Sequence, residues 1–152
     1  MSRKLLVILA AGGSAALMLG ALGFQYIGEM PPCKLCYWQR YGHVLAILVG
    51  AVALWRPIAP LLWIGALGAF SSSVIGLYHS GVERKWWEGP NSCTSGSIAG
   101  LTPEELTQKI LEAPLIRCDD IPWEMFGLSM ANYNVLVSFV LALIWVAAAR
   151  RA

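Results

Sequence analysis

The chain holds four cysteines, and their placement suggests thiol chemistry. Cys33 and Cys36 form a Cys-Lys-Leu-Cys pair, while Cys93 and Cys118 both lie in one long polar stretch. A thiolate breaks a disulfide through a mixed-disulfide intermediate, so two dithiol pairs facing one compartment can hand a disulfide from one to the other. Two other uses compete. Zinc takes four ligands of compact spacing, and the separation of Cys93 from Cys118 is too wide for a second chelating pair. A static disulfide between Cys93 and Cys118 would close a loop of ordinary size, but one across Cys33 and Cys36 closes a loop too small to stabilise much. The C-x-x-C pair therefore points to redox exchange.

The residues after that pair extend the argument. In Pro31-Pro32-Cys33-Lys34-Leu35-Cys36-Tyr37-Trp38-Gln39-Arg40, a helix starting at Pro32 puts Cys33 in its first turn, where free N–H groups favour a thiolate. Cys36 and Arg40 then follow on the same helical face. The expected roles are Cys36 as a thiolate facing an acceptor and Cys33 as the exchanging thiol. Arg40 would stabilise that thiolate and reach an acceptor oxygen, or else snorkel to the headgroups as an interface anchor. His79 and His43 could protonate a reduced acceptor near neutral pH, or serve only in helix packing.

What must position these groups is a membrane. The chain is 57% hydrophobic and 13% charged, with the apolar residues in blocks. The stretch 5–27 carries no charge and, at about 1.5 Å per residue, is long enough for a hydrocarbon core of roughly 30 Å. Stretches 58–78 and 130–149 qualify likewise, and 36–55 does once extended back toward Cys33. Arg3-Lys4 before an apolar run also resembles a secretory signal, but the run exceeds the usual length of about 7–15 residues, which favours a retained helix. The expected fold is an all-α membrane protein, a single domain over 1–152, built as a bundle of four transmembrane helices with loops at 28–35 and 79–129.

Lys and Arg near the span ends set orientation. Arg3, Lys4, Arg56, Arg150 and Arg151 are packed densely on one side without an acid, whereas Lys34, Arg40, Arg84, Lys85, Lys109 and Arg117 are spread over the two loops of the other side together with all nine acids and the cysteines, so density rather than number decides. Both termini are expected in the cytoplasm and the cysteines in an oxidising compartment such as the bacterial periplasm, where disulfides persist. No basic face suggests nucleic acid. In the second loop, Thr102 and Glu105 read as a capping box with Pro103 at the first helical position, and the helix is expected to end before Pro114. Leu106, Ile110 and Leu111 oppose Gln108 and Lys109, the pattern of a short amphipathic helix on the membrane surface or capping the bundle. Trp86, Trp87 and Trp123 would be interfacial anchors.

The segment 31–40, Tyr78-His79-Ser80-Gly81-Val82-Glu83 and the later Cys93 and Cys118 together resemble the disulfide bond formation protein B (DsbB) family of bacterial inner-membrane proteins. The resemblance covers nearly the whole chain and is most specific in the first loop. It implies a thiol:quinone oxidoreductase that reoxidises the thioredoxin-fold oxidant DsbA and passes two electrons to ubiquinone or menaquinone. Carried over, Cys93 forms the mixed disulfide with the partner, Cys118 is released and attacks Cys33, and Cys36 contacts the quinone beside Arg40. His79 fills the second quinone-side position, and Gln39 stands where relatives can carry an acid. A DsbA-like partner, at about −120 mV, is too oxidising for an ordinary structural disulfide to reoxidise, so the quinone must draw the exchange forward. A reductase of the vitamin K epoxide reductase type would carry its C-x-x-C near a later span, which this chain lacks. A non-enzymatic scaffold held by Cys93–Cys118 is the third reading.

Overall fold

The computed structural model describes residues 1–93, 100–112 and 116–151. Pro114, the expected stop of the loop helix, lies outside them. Four long helices, α1 (Arg3–Tyr26), α2 (Lys34–Trp55), α3 (Ala59–Glu83) and α5 (Met130–Ala149), pack in a closed ring in which α1 touches α2 and α5, and α3 touches α2 and α5. The short helix α4 (Pro103–Glu112) and a hairpin of β1 (Glu124–Met125) and β2 (Leu128–Ser129) lie in the segment between α3 and α5.

Three of these helices, α1, α3 and α5, are long and apolar enough to cross a membrane. The fourth long helix, α2, is of similar length but carries Lys34, Gln39, Arg40 and His43. Lipid-length helices gain little from burying apolar surface against one another, and small residues let their backbones approach instead. That is how this bundle closes. A Cβ on Gly42 would lie 2.4 Å from the Gly68 carbonyl, so the α2–α3 crossing admits only glycine there. Trp145, fully buried, fills the space left by Gly65 and belongs to the same buried cluster as Ala10, Ala53, Ala66 and Ala69. Large side chains such as Leu19, Leu48 and Leu67 face outward.

Three local expectations change. The end of α3 lies at Glu83 rather than Tyr78, because His79-Ser80-Gly81 continues the helix: Ser80 Oγ donates to the Gly76 carbonyl, and Gly81 makes room for the Trp87 ring, which a Cβ would meet at 2.0 Å. His79 therefore belongs to the last turns of α3 rather than opening the loop. Cys33 is the N-cap of α2 rather than a first-turn residue, with an extended backbone (φ −76°, ψ 173°) and its sulfur accepting the Cys36 N–H. The described residues are also not purely helical. Phe126 (φ 52°) and Gly127 (φ 74°) both take positive φ, as a two-residue hairpin turn requires, and join β1 to β2.

In α4 the Thr102 N–H donates to Glu105 Oε2 at 2.8 Å and the Glu105 N–H to Thr102 Oγ1 at 3.3 Å, the two bonds of a capping box. Its Ile110 and Leu111 are exposed. Trp87 stacks on Tyr78 and donates to its carbonyl, and Trp123 sits between Phe24 and Tyr133, so both also pack locally.

Candidate functional site

The two cysteine pairs meet at one end of the bundle. Cys33 at the start of α2, Leu35, Val82 near the end of α3, and Cys93 and Cys118 from the loop form a buried cluster against which Cys36 packs. Cys93 and Cys118 are bonded to each other, and the Cys118 N–H also donates to the Cys93 carbonyl at 2.6 Å. Cys33 and Cys36 are free thiols with sulfurs 3.0 Å apart, a short closing movement from the bonded distance of about 2.05 Å. Lys34 Nζ donates to Ser92 Oγ at 3.0 Å and so ties the loop to the start of α2. Arg117 grips Asp119 with Nε and Nη2 on either side of Cys118 in sequence.

His79 stands between the pairs. Its Nε2 lies 3.2 Å from the Cys118 carbonyl and 3.6 Å from Cys33 Sγ, and its Nδ1 lies 2.9 Å from Gln39 Nε2. Glu83 follows one turn later, 3.8 Å from Nε2, and accepts a hydrogen bond from Ser129. Cys33, Cys36 and His79 hold their donor atoms within 4.8 Å of one another. Among the described residues these three donors fall one short of a structural zinc set, and sulfurs this close suit a disulfide better than two metal bonds.

The surroundings of Cys33 lower its pKa. The Cys36 thiol beside it, then the His79 ring and the Cys36 N–H, outweigh burial and bring its pKa from 9.0 down to about 4. A pH dependence follows. Because the folded pKa lies below the unfolded one, the stabilisation from Cys33 is fully present above pH 9.0 and is lost as pH falls through about 4. With Cys93 and Cys118 replaced by Ser, the ultraviolet thiolate absorbance of the reduced protein should titrate with a midpoint near 4. Cys36→Ala should raise that midpoint more than His79→Ala. A midpoint near 9 would remove the charge from Cys33.

Beside the pair opens a cavity of about 520 Å³, within the range of small-molecule sites. Its walls are apolar side chains of α1 and α5 together with Phe24, Met30 and Trp123, and its polar lining includes Cys36, Gln39, Arg40, His43, His79 and Asn134. Cys36, rather than Cys33, forms part of this wall. Arg40 crosses to α1, where Nη1 donates to Gln25 Oε1 at 2.6 Å and Nη2 to the Ala21 carbonyl at 3.3 Å, with the guanidinium over the Tyr37 ring. The cavity is thus mainly apolar, with a guanidinium, a thiol and two imidazoles among its few polar groups.

His43 sits deeper, with Nε2 3.0 Å from Asn134 Oδ1 and close to the Ser72 and Ser138 hydroxyls. Its Nδ1 has no hydrogen-bond partner among the described residues. Gln25 and Asn134 were not singled out by the sequence: each is one of a few polar residues within an apolar span, the only signal available. Their partners lie on other helices.

Comparison with known proteins identifies the family. Residues 3–148 match the family described as "Disulfide bond formation protein DsbB". "Disulfide bond formation protein B" of Actinobacillus pleuropneumoniae is 30% identical over 151 residues, 91% of this chain and 81% of that protein. The protein of the same name from Shewanella loihica is 30% identical over 153 residues, 92% of this chain and 84% of its own length. That of Haemophilus influenzae is 30% identical over 141 residues, covering 89% and 79% respectively. No solved structure matches. With a family match over almost its full length and two cysteine pairs gathered at one end of an apolar bundle, the chain belongs to the DsbB family of disulfide bond formation proteins, membrane oxidoreductases.

Proposed function

We propose that the protein is a thiol:quinone oxidoreductase that reoxidises a periplasmic DsbA-like oxidant and delivers the electrons to a membrane quinone, ubiquinone or menaquinone. The observation that carries this reading is the junction at Cys36: one side of the inner pair touches the outer disulfide cluster, the other forms the cavity wall. In this reading a partner thiolate attacks Cys93 and releases Cys118, and the partner's second thiol then leaves with the partner as a disulfide. Cys118 attacks Cys33 of the closed inner disulfide and releases Cys36, and Cys93 resolves the Cys33–Cys118 bond, which re-forms the outer disulfide and leaves the inner pair reduced. Reclosing Cys33–Cys36 releases two electrons and two protons, which a quinone accepts in becoming a quinol. Arg40 holds the acceptor oxygen and His79 steadies charge at Cys33.

The reading makes α2 the fourth transmembrane helix, because it is of similar length to α1 and α3 and packs against both. It sets both termini in the cytoplasm on the density of Arg3, Lys4, Arg56, Arg150 and Arg151. The exposed Ile110 and Leu111 suit α4 to the membrane surface. A membrane-impermeant thiol reagent applied to reduced, intact spheroplasts should label all four cysteines; labelling that needs permeabilised membranes contradicts this orientation.

The function itself is tested by mixing purified protein, a reduced thioredoxin-fold donor and a short-chain quinone. Catalytic quinol formation that consumes donor thiols is expected. Donor oxidation without quinol, or neither, would contradict the proposal.

A further inference from the structure

Gln39 is buried against His79, and the surrounding carbonyls fix which of its atoms faces the ring. Its Nε2 donates to the Leu35 carbonyl at 3.3 Å, and a carbonyl only accepts. Its Oε1 accepts from Asn134 Nδ2 at 2.8 Å, and Asn134 is itself oriented by donating to the Ser72 carbonyl at 3.2 Å. The Gln39 atom 2.9 Å from His79 Nδ1 is therefore an N–H donor, so Nδ1 accepts. The ring proton must then sit on Nε2, the nitrogen facing the Cys118 carbonyl and Cys33 Sγ.

We propose that Gln39 is a positioning residue that fixes His79 as the Nε2–H tautomer, so that the imidazole donates a hydrogen bond to Cys33 and cannot take its proton. The proposal rests on the relay reading for its functional meaning, though the tautomer does not. A bare Nε2 could act as a base toward a Cys33 thiol and would repel a thiolate. An Nε2–H does the reverse: it favours charged Cys33, the form that attacks or leaves in exchange, and its bond to the Cys118 carbonyl holds the outer pair beside it. Sequence places Gln39 and His79 forty positions apart, on different helices.

The test is nitrogen NMR of the reduced full-length protein in nanodiscs with ¹⁵N-labelled histidine. The chain has two histidines, and a His43→Phe sample assigns the signals. For His79 an unprotonated Nδ1 and a protonated Nε2 are expected in the wild type, and a Gln39→Glu carboxylate, which can only accept, should move a proton onto Nδ1. Gln39→Leu should slow exchange between the two pairs about 3–10-fold, the loss of one ordinary hydrogen bond, and raise the Cys33 thiolate midpoint by up to about one pH unit. A protonated wild-type Nδ1, or no shift in either Gln39 variant, overturns the proposal. If the tautomer is as expected but the wild type reduces no quinone, the relay reading fails instead.

Discussion

When Cys93 of the Cys118→Ala protein is first activated as a mixed disulfide with an aromatic thiol, a thioredoxin-fold partner that lacks its own resolving cysteine should displace that thiol and stay trapped on Cys93, turning a transient adduct into the major species on a non-reducing gel. A mixed disulfide persists when no neighbouring thiol resolves it, and Cys118 is the thiol bonded to Cys93 here. The adduct should disappear in Cys93→Ala. The two sulfurs are buried, at 2% and 0% exposure, so the partner has to displace packing around Cys93 to reach it, and trapping should be slow to begin but durable. An adduct forming equally well in the absence of Cys93 and Cys118 would reduce the outer pair to a structural crosslink.

The second large effect is expected at Arg40. Its guanidinium lines the cavity and makes hydrogen bonds to Gln25 and the Ala21 carbonyl, so it both borders the acceptor site and joins α2 to α1. Hydrogen bonds to charged groups contribute about 1.5–3 kcal/mol, which corresponds to a rise of about 10–150-fold in the quinone KM for Arg40→Ala. Exchange at Cys93 should be unaffected. Arg40→Lys should recover only part of the loss, because a point charge does not reproduce the planar fork. Unchanged quinone kinetics would leave Arg40 as a link between helices.

The apolar blocks made α1, α3 and α5 legible in the sequence, since a charge-free run long enough for a bilayer has few other uses. The capping box of α4 was equally plain, because Thr102 and Glu105 are local partners. Where reading along the chain failed, three-dimensional contacts had changed the meaning of a residue. Gly81 resembles a helix stop until Trp87 is seen lying against it. Cys33 resembles a first-turn residue until its sulfur is found capping the Cys36 N–H. Strands of two residues, Glu124–Met125 and Leu128–Ser129, are too short to show an alternating pattern. For the site, spacing alone could pair Cys33 with Cys36 and align Arg40 with them. The link from Gln39 to His79, and from Asn134 to Gln39, joins three different helices and carries no sequence signal.

The two-pair relay is most directly tested by a single turnover followed in time. Fully oxidised protein is mixed anaerobically with reduced partner and quinone, quenched with acid, alkylated and mapped. The relay predicts that Cys93–Cys118 opens first, that reduced Cys33 and Cys36 appear next, and that one quinol forms for each partner disulfide. In the Cys93→Ala/Cys118→Ala protein, quinol formation from the partner should be lost. Quinol appearing in that double variant at the wild-type rate would contradict the relay.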